Sequence, residues 1–116
     1  MVQLSNDTVR DSIIDSVKKK CFHVIIVTPF WISVAHDVLS ILDETELEYS
    51  TKLHPNGLVV YLPNGSTISI VEPVEGSLRR RCHRLIVDNS VDRKMVNDVF
   101  MPLESLDIKY NSFSRF

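Results

Sequence analysis

The stretch GSLRRRCHRLIVDNS, residues 76–90, places an acidic residue directly after a short apolar run. The run is Leu85 to Val87, and its length and polar flanks are typical of a fully buried strand. Asp88 follows it, at the strand end where open α/β sheets bind their ligands. In nucleotide-hydrolysing domains an acidic residue in this place faces magnesium. The pattern therefore predicts a ligand-facing carboxylate at Asp88.

Four arginines precede this strand and form the main basic cluster of the chain: Arg79, Arg80, Arg81 and Arg84. Two interpretations are open. The cluster is either a solvated connection beside Glu72 and Glu75, or a contact for phosphate or an acidic partner, because arginine forks match both. Since the segment leads into Asp88, we expect it to lie near that end of the sheet.

The rest of the sequence argues against a complete active site. It contains three glycines, and nothing in it reads G-x-x-x-x-G-K-[ST], the phosphate loop of nucleotide-hydrolysing proteins. No G-x-S-x-G elbow supports a Ser-His-Asp hydrolase. The histidines show no metal-ligand spacing, so we predict no metal site and no catalytic residue. They are His23, His36, His54 and His83.

Composition indicates one domain over residues 1–116. The chain is 44% hydrophobic and 24% charged, with a net charge of −2, so binding to nucleic acid would need a local patch. No apolar run reaches the ~18 residues of a membrane span, and the first 15 residues do not resemble a signal peptide. Cys21 and Cys82 adjoin apolar runs, which predicts buried free thiols and a cytoplasmic protein.

Periodicity and turn residues predict an alternating α/β order. Ser5 to Asp7 can cap a first helix, and Asn64-Gly65 is a strong hairpin signal. The expected helices are 8–20, 30–42 and 92–101, and the expected strands are 22–28, 47–53, 58–62, 67–71, 83–88 and 106–110, with a loose end at 112–116. The three middle strands should form a meander.

Two strands, Val24 to Val27 and Leu85 to Val87, are continuous apolar runs that each precede a helix-like segment. Parallel strands covered on both faces have this pattern. We therefore predict that they are buried, parallel and close neighbours in one sheet. Phe30 and Trp31 stand at the start of the helix after the first run. Their side chains could either pack in the core or at its edge, or form an exposed contact surface.

Four motifs, in this order, resemble the ATPase domain of phage terminase large subunits, which belongs to the P-loop NTPase superfamily. They are IIVTPFWISVAHDVLSIL (25–42), LPNGSTISIV (62–71), EGSLRRRCHRLIVDN (75–89) and VNDVFMPLESL (96–106). P-loop helicases share much of this pattern. The resemblance implies a three-layer P-loop-like core with a central, mainly parallel sheet and an inserted β-hairpin or meander.

The chain departs from the family at two places that decide its function. It begins about where the phosphate loop should enter the first helix, and Ser5 to Val9 lacks the glycines and lysine. The family's catalytic glutamate falls on Asn89, and an amide cannot act as a general base. Asp88 and Asn89 are therefore expected to be vestiges of a nucleotide and metal site. The family's nuclease domain is also absent from this sequence.

These features predict a non-catalytic binding or regulatory protein, phage-encoded and cytoplasmic in the host, derived from a DNA-packaging ATPase. It would bind protein or nucleic acid through Arg79 to Arg84, or else through the hairpin tip at Pro63 to Ser66. Two alternatives stay open: a weak nucleotide- or metal-dependent enzyme, and a fragment or subunit that completes its ATP site with another segment or chain. Magnesium and ATP would be cofactors only if a partner completes the site. We expect no membrane partner.

Overall fold

The computed structural model describes residues 1–74 and 80–106. The strands are β1 (Val2–Gln3), β2 (His23–Val27), β3 (Ser50–His54), β4 (Gly57–Tyr61), β5 (Thr67–Val71) and β6 (Arg84–Val87). The helices are α1 (Asn6–Lys18), α2 (Trp31–Glu44) and α3 (Arg93–Met95), and α3 continues as a π-helical turn (Val96–Phe100) and a 3₁₀ turn (Met101–Leu103). None of the helices in these ranges is long and apolar enough to cross a membrane.

The six strands form one mixed sheet in the order β1-β6-β2-β5-β4-β3. β1, β6, β2 and β5 run parallel, and β4 and β3 extend the sheet as an antiparallel meander. β2 and β6 are direct neighbours, with Ile25 opposite Leu85 and Val27 opposite Val87. The predictions of an α/β protein, of the meander and of two neighbouring parallel strands are therefore confirmed.

Helical segments cover both faces of the sheet. Val24 and Ile26 of β2 pack into a core that includes apolar residues of α1 and α2. Ile25 and Val27 point to the other face and share a core with Val96 and Phe100. These four residues, Val24 to Val27, are at most 2% exposed. A strand buried on both faces needs apolar residues at every position, which explains the continuous run in the sequence.

Side chains close both ends of α1. At its start, Ser5 Oγ accepts the Thr8 N–H (3.1 Å) and Thr8 Oγ1 accepts the Ser5 N–H (2.9 Å), which confirms the predicted cap. At its end, Asn64 Nδ2 lies within donating distance of the carbonyls of Ser16 (2.8 Å), Val17 (3.0 Å) and Lys19 (2.9 Å). These carbonyls have no partner within the helix.

The β4–β5 hairpin tip is therefore part of the fold. Ser66 Oγ donates to the Lys19 carbonyl (2.8 Å) and accepts the Phe22 N–H (3.0 Å). Gly65 has a φ of +86°, and a Cβ there would lie 2.9 Å from Cys21 Sγ. These internal contacts disfavour the tip as an alternative binding surface, because Asn64 and Ser66 are already committed.

One strand was missed, and three sequence predictions differ from the structure or lie beyond it. β1 was not predicted, because two residues are too few to show a period. The predicted regular helix 92–101 widens into a π-helical turn before Pro102, which has no N–H to continue an α-helical ladder. Of the predicted last strand, Leu106 is not in a strand and residues 107–110 lie outside the described residues, as does the predicted loose end at 112–116.

We predict that Asn64→Ala destabilises the protein by about 1–3 kcal/mol, because it leaves carbonyls at the end of α1 unpaired. The measurement is the free energy of unfolding from urea denaturation. Asn6→Ala, at an exposed asparagine at the start of α1, is the control and should change stability by less than about 0.5 kcal/mol. Equal effects of the two substitutions would show that the hairpin does not hold α1.

Candidate functional site

Asp88 lies immediately after β6, where it meets the end of β2. The buried Thr28 hydroxyl donates to Asp88 Oδ2 (3.1 Å), and the Ser90 N–H donates to Oδ1 (3.0 Å). Thr28 Oγ1 in turn accepts the Phe30 N–H (3.1 Å). The carboxylate is thus at the predicted end of the sheet, and both of its oxygens already accept hydrogen bonds from the chain.

These contacts favour the charged form of Asp88. The hydrogen bond from the Ser90 backbone N–H lowers the pKa of Asp88 most, and bonds from the Ser90 and Thr28 side chains add to it, while partial burial opposes them. Because the pKa is lowered in the folded state, the stabilisation is present above the ordinary value of 3.8 and is lost as the pH falls through the lowered pKa. Asp88 is therefore an anion at neutral pH.

An open cleft of about 430 Å³ adjoins this carboxylate. Gln3, Asp88, Asn89, Arg93 and Asn97 contribute polar side chains to its lining. Asn89 is exposed, and its amide cannot take a proton from water. In the described parts of the chain, no group of three or more His, Cys, Asp or Glu side chains could hold a metal ion. The cleft offers one carboxylate and no general base beside it.

The connection from β1 to α1 also lies at this end of the sheet. It consists of Leu4 and Ser5 alone. The Leu4 N–H donates to the Val87 carbonyl (2.9 Å), and the Ser5 side chain caps α1. A phosphate loop needs several residues whose backbone N–H groups turn inward. Two residues that are already bonded to the sheet and the helix do not supply them.

Arg84 is held inside the fold. It is the first residue of β6, and its Nη1 lies 2.8 Å from Asp15 Oδ2 and 3.1 Å from Ser12 Oγ. Its guanidinium also sits 5.1 Å from the centre of the Phe22 ring. These contacts give Arg84 a structural role and account for its charge without an external partner.

The described arginines of this segment do not lie near Asp88, so the expectation is wrong for Arg80, Arg81 and Arg84. Arg84 opens β6 and Asp88 follows its last residue, so the two residues mark opposite ends of the strand. Arg80 is half-buried, 5.9 Å from the centre of the Tyr61 ring, and Arg81 is exposed with its Nε donating to Ser105 Oγ (2.8 Å). Arg79 lies outside the described residues. The described cations of this segment are thus at the amino end of the parallel strands.

Two histidines that seemed unrelated in the sequence meet at the same end. The His23 N–H donates to His83 Nδ1 (3.0 Å), and the two rings stack with centres 5.6 Å apart. His23 Nδ1 is 2.8 Å from Thr67 Oγ1. Burial lowers the pKa of His23, and the charge of Arg80 lowers it further. Sequence reasoning missed this group, although Thr67 and Ser69, two residues apart in an apolar strand, signalled one polar face.

The remaining candidates either pack in the core or are partly or largely exposed. Cys82 is fully buried, and burial, followed by the charge of Glu104, raises its thiol pKa to about 12, as a buried thiol requires. Cys21 is partly exposed, and neither cysteine is in a disulfide. Trp31 packs against the core beneath α1 and α2, whereas Phe30 is 65% exposed.

The comparisons with known proteins add no relative. No family model, no curated protein and no solved structure matches this chain. Its function has to be inferred from its own geometry.

We predict that Arg84→Ala lowers the free energy of unfolding by about 1–2 kcal/mol, because it removes an ion pair and a cation–π contact that are both partly buried. Arg81→Ala should change it by less than about 0.5 kcal/mol, since Arg81 is exposed. Urea denaturation measures both. If Arg84→Ala leaves the free energy of unfolding unchanged, Arg84 has no structural role and could contact a partner.

Proposed function

We propose that this chain is a non-catalytic binding or regulatory module that binds an anionic partner, nucleic acid or an acidic protein, through Arg79, Arg80 and Arg81. The observation that carries the proposal is the separation of the two ends of the sheet. The end with Asp88 is occupied by the chain's own hydrogen bonds. The opposite end presents arginines beside polar side chains. Arg84, also predicted to belong to the binding surface, instead contacts Asp15 and Ser12 of α1 and has a structural role.

Three observations support the absence of catalysis. The β1–α1 connection has two residues, and both are bonded to the fold. Asn89 stands where the resemblance requires a glutamate. Asp88 is a single carboxylate with both oxygens engaged. Phosphoryl transfer depends on positioning and on charge stabilisation by several groups acting together, and this end of the sheet lacks most of them.

Nucleic acid is the partner that the arginines favour. The net charge of the chain is −2, so long-range attraction to a polyanion is not built into the whole surface. A local set of guanidinium groups can still bind phosphates, because each offers two parallel donors. An acidic protein is the other outcome that a binding test distinguishes, since it would show a weaker dependence on salt.

We further propose that the module descends from a P-loop core of the DNA-packaging type, is phage-encoded and acts in the host cytoplasm. The four ordered motifs support this origin, as do the parallel β6 and β2 and the acidic residue that follows β6. The three-layer P-loop-like assignment is part of this proposal.

A second candidate is a subunit or fragment of a packaging motor that completes its ATP site with another segment or chain. The open cleft of about 430 Å³ beside the charged Asp88 favours it. Arg93, on the wall of that cleft, could then face a bound phosphate. Magnesium and ATP would be cofactors only of the completed assembly.

The isolated chain should not hydrolyse ATP. With ATP, magnesium and DNA, purified protein should release phosphate no faster than a blank, because the cradle and the general base are missing. Turnover above ~0.1 per second, against ~1–1,000 per second for typical enzymes, that Asp88→Ala abolishes would contradict the proposal. Turnover that appears only with a second protein would support the motor-subunit candidate.

Replacing Arg79, Arg80 and Arg81 together with alanine should weaken binding to DNA and lower the free energy of unfolding by at most about 1 kcal/mol, because Arg81 is exposed and the half-buried Arg80 makes a cation–π contact with Tyr61. The slope of log K against log salt should fall by about one for each lost phosphate contact. A matched variant, Arg10, Lys18 and Lys94 to alanine, removes three exposed cations from elsewhere and should bind DNA like the parent. If both triple variants bind like the parent, the binding surface lies elsewhere.

A further inference from the structure

A small polar pocket of about 240 Å³ lies at the amino end of β2 and β5, on the face away from α1 and α2. We call it the β2–β5 pocket. The residues that line it are His23, Val24, Ile25, Thr67, Ser69, Arg80, Arg81 and Leu106. It thus combines two guanidinium groups, an imidazole and two hydroxyls, and no carboxylate is among the described residues that line it. Such a donor set suits an anion.

Two buried donors in this pocket make no hydrogen bond within the described parts of the chain. Ser69 is 1% exposed, and its Oγ is one of them. Arg80 Nη1 is the other. A buried polar group without a partner costs free energy, and a charged one costs more, so such groups are rarely left unsatisfied. Ser69 and Arg80 line the same pocket, so a single anion bound there could accept hydrogen bonds from both side chains.

Strand β5 positions the two hydroxyls of the pocket, and side-chain contacts position the two arginines. Ser69 lies opposite Ile25 in the register of β5 with β2, and Thr67 lies opposite His23, so the two hydroxyls share one face. Tyr61, opposite Thr67 on β4, supports the Arg80 guanidinium from beneath. Arg81 is tied to Ser105 through its Nε. The two hydroxyls are therefore held by a packed strand and each arginine by a side-chain contact, which reduces the cost of ordering them around a ligand.

We propose that the β2–β5 pocket binds one phosphate group, either free phosphate or the terminal phosphate of a nucleic-acid strand. The inference deepens the proposed function, and its biological role rests on it. Arg80 supplies the charge and paired donors, Ser69 donates from the buried wall, and Arg81 contacts the outer oxygens. The volume is below the ~300–1,000 Å³ of pockets for drug-sized ligands, so it suits a phosphate group and not a whole nucleotide.

His23 reports on occupancy. The charge of Arg80 contributes to lowering the pKa of His23, second to burial. A phosphate beside Arg80 would offset that charge, and it would also attract the protonated imidazole directly. Binding of phosphate should therefore raise the pKa of His23, whereas a phosphate bound elsewhere on the surface would leave it unchanged.

The test is calorimetric titration of the full chain with inorganic phosphate at constant ionic strength, paired with an NMR titration of the His23 ring. The parent should bind one phosphate, and the pKa of His23 should rise. Arg80→Gln should weaken binding by about 10-fold or more, and Ser69→Ala by about 3–10-fold, as expected for losing a charged and a neutral donor. Arg10→Gln, which removes an exposed arginine on α1, should bind like the parent.

A second arm compares one oligonucleotide carrying a 5′-phosphate with the same strand ending in a hydroxyl. Tighter binding of the phosphorylated strand, lost in Arg80→Gln and Ser69→Ala, identifies a strand terminus as the source. Equal binding of the two strands, with inorganic phosphate still bound, identifies free phosphate. If phosphate binds and neither DNA nor an acidic protein does, the pocket stands and the proposed function fails.

The proposal is overturned if a folded parent neither binds phosphate nor shifts the pKa of His23. It is equally overturned if Arg80→Gln and Ser69→Ala bind phosphate as the parent does. If those variants leave DNA binding intact while the alanine triple variant loses it, the proposed function stands without the pocket. Circular dichroism checks that Ser69→Ala is folded, which we expect because replacing a hydroxyl by hydrogen at this buried position is a small change.

Discussion

The burial of β2 between two parallel neighbours is the constraint on which the structure depends. β5 and β6 both pair with β2 in parallel, and parallel strands need crossover connections that pass over a face of the sheet. α1 and α2 cover one face, the segment from Arg93 to Leu103 that follows β6 covers the other, and together they exclude water from Val24 to Val27. Parallel pairing also gives the sheet two chemically distinct ends. The ends of β2 and β6 bring Thr28 beside Asp88, and their starts bring His23 beside His83.

The two ends of the sheet differ in how far their polar groups are paired within the described residues. At the carboxyl end, short connections and internal hydrogen bonds engage the groups that a nucleotide site would need. At the amino end, arginines and hydroxyls line a pocket in which two buried donors have no partner within the described residues. Open α/β sheets bind their ligands at the carboxyl ends of the strands. In this chain the pocket with a donor set suited to an anion lies at the amino ends.

The sequence predicted the sheet better than the site. Continuous apolar runs locate β2 and β6, and Asn64-Gly65 locates the hairpin, because burial on two faces and a tight turn each demand particular residues at adjacent positions. The contacts of Asn64 with α1, by contrast, join residues about 45 positions apart, and no local pattern carries that information. Arg84 shows the same limit, since its partners Asp15 and Ser12 lie on another element. Arginine count alone could not separate a structural arginine from one lining a pocket.

The most direct test of the central claim is an amide chemical-shift map of the ¹⁵N-labelled chain titrated with a 5′-phosphorylated oligonucleotide. We expect the shifts to concentrate at the amino end of the parallel strands, at His23, Thr67, Ser69, Arg80 and Arg81. The amides of Thr28, Asp88 and Asn89 should stay in place. Shifts confined to Ser5, Thr28 and Asp88 to Ser90 would contradict the account, because they would place the binding site at the end of the sheet where a nucleotide would bind.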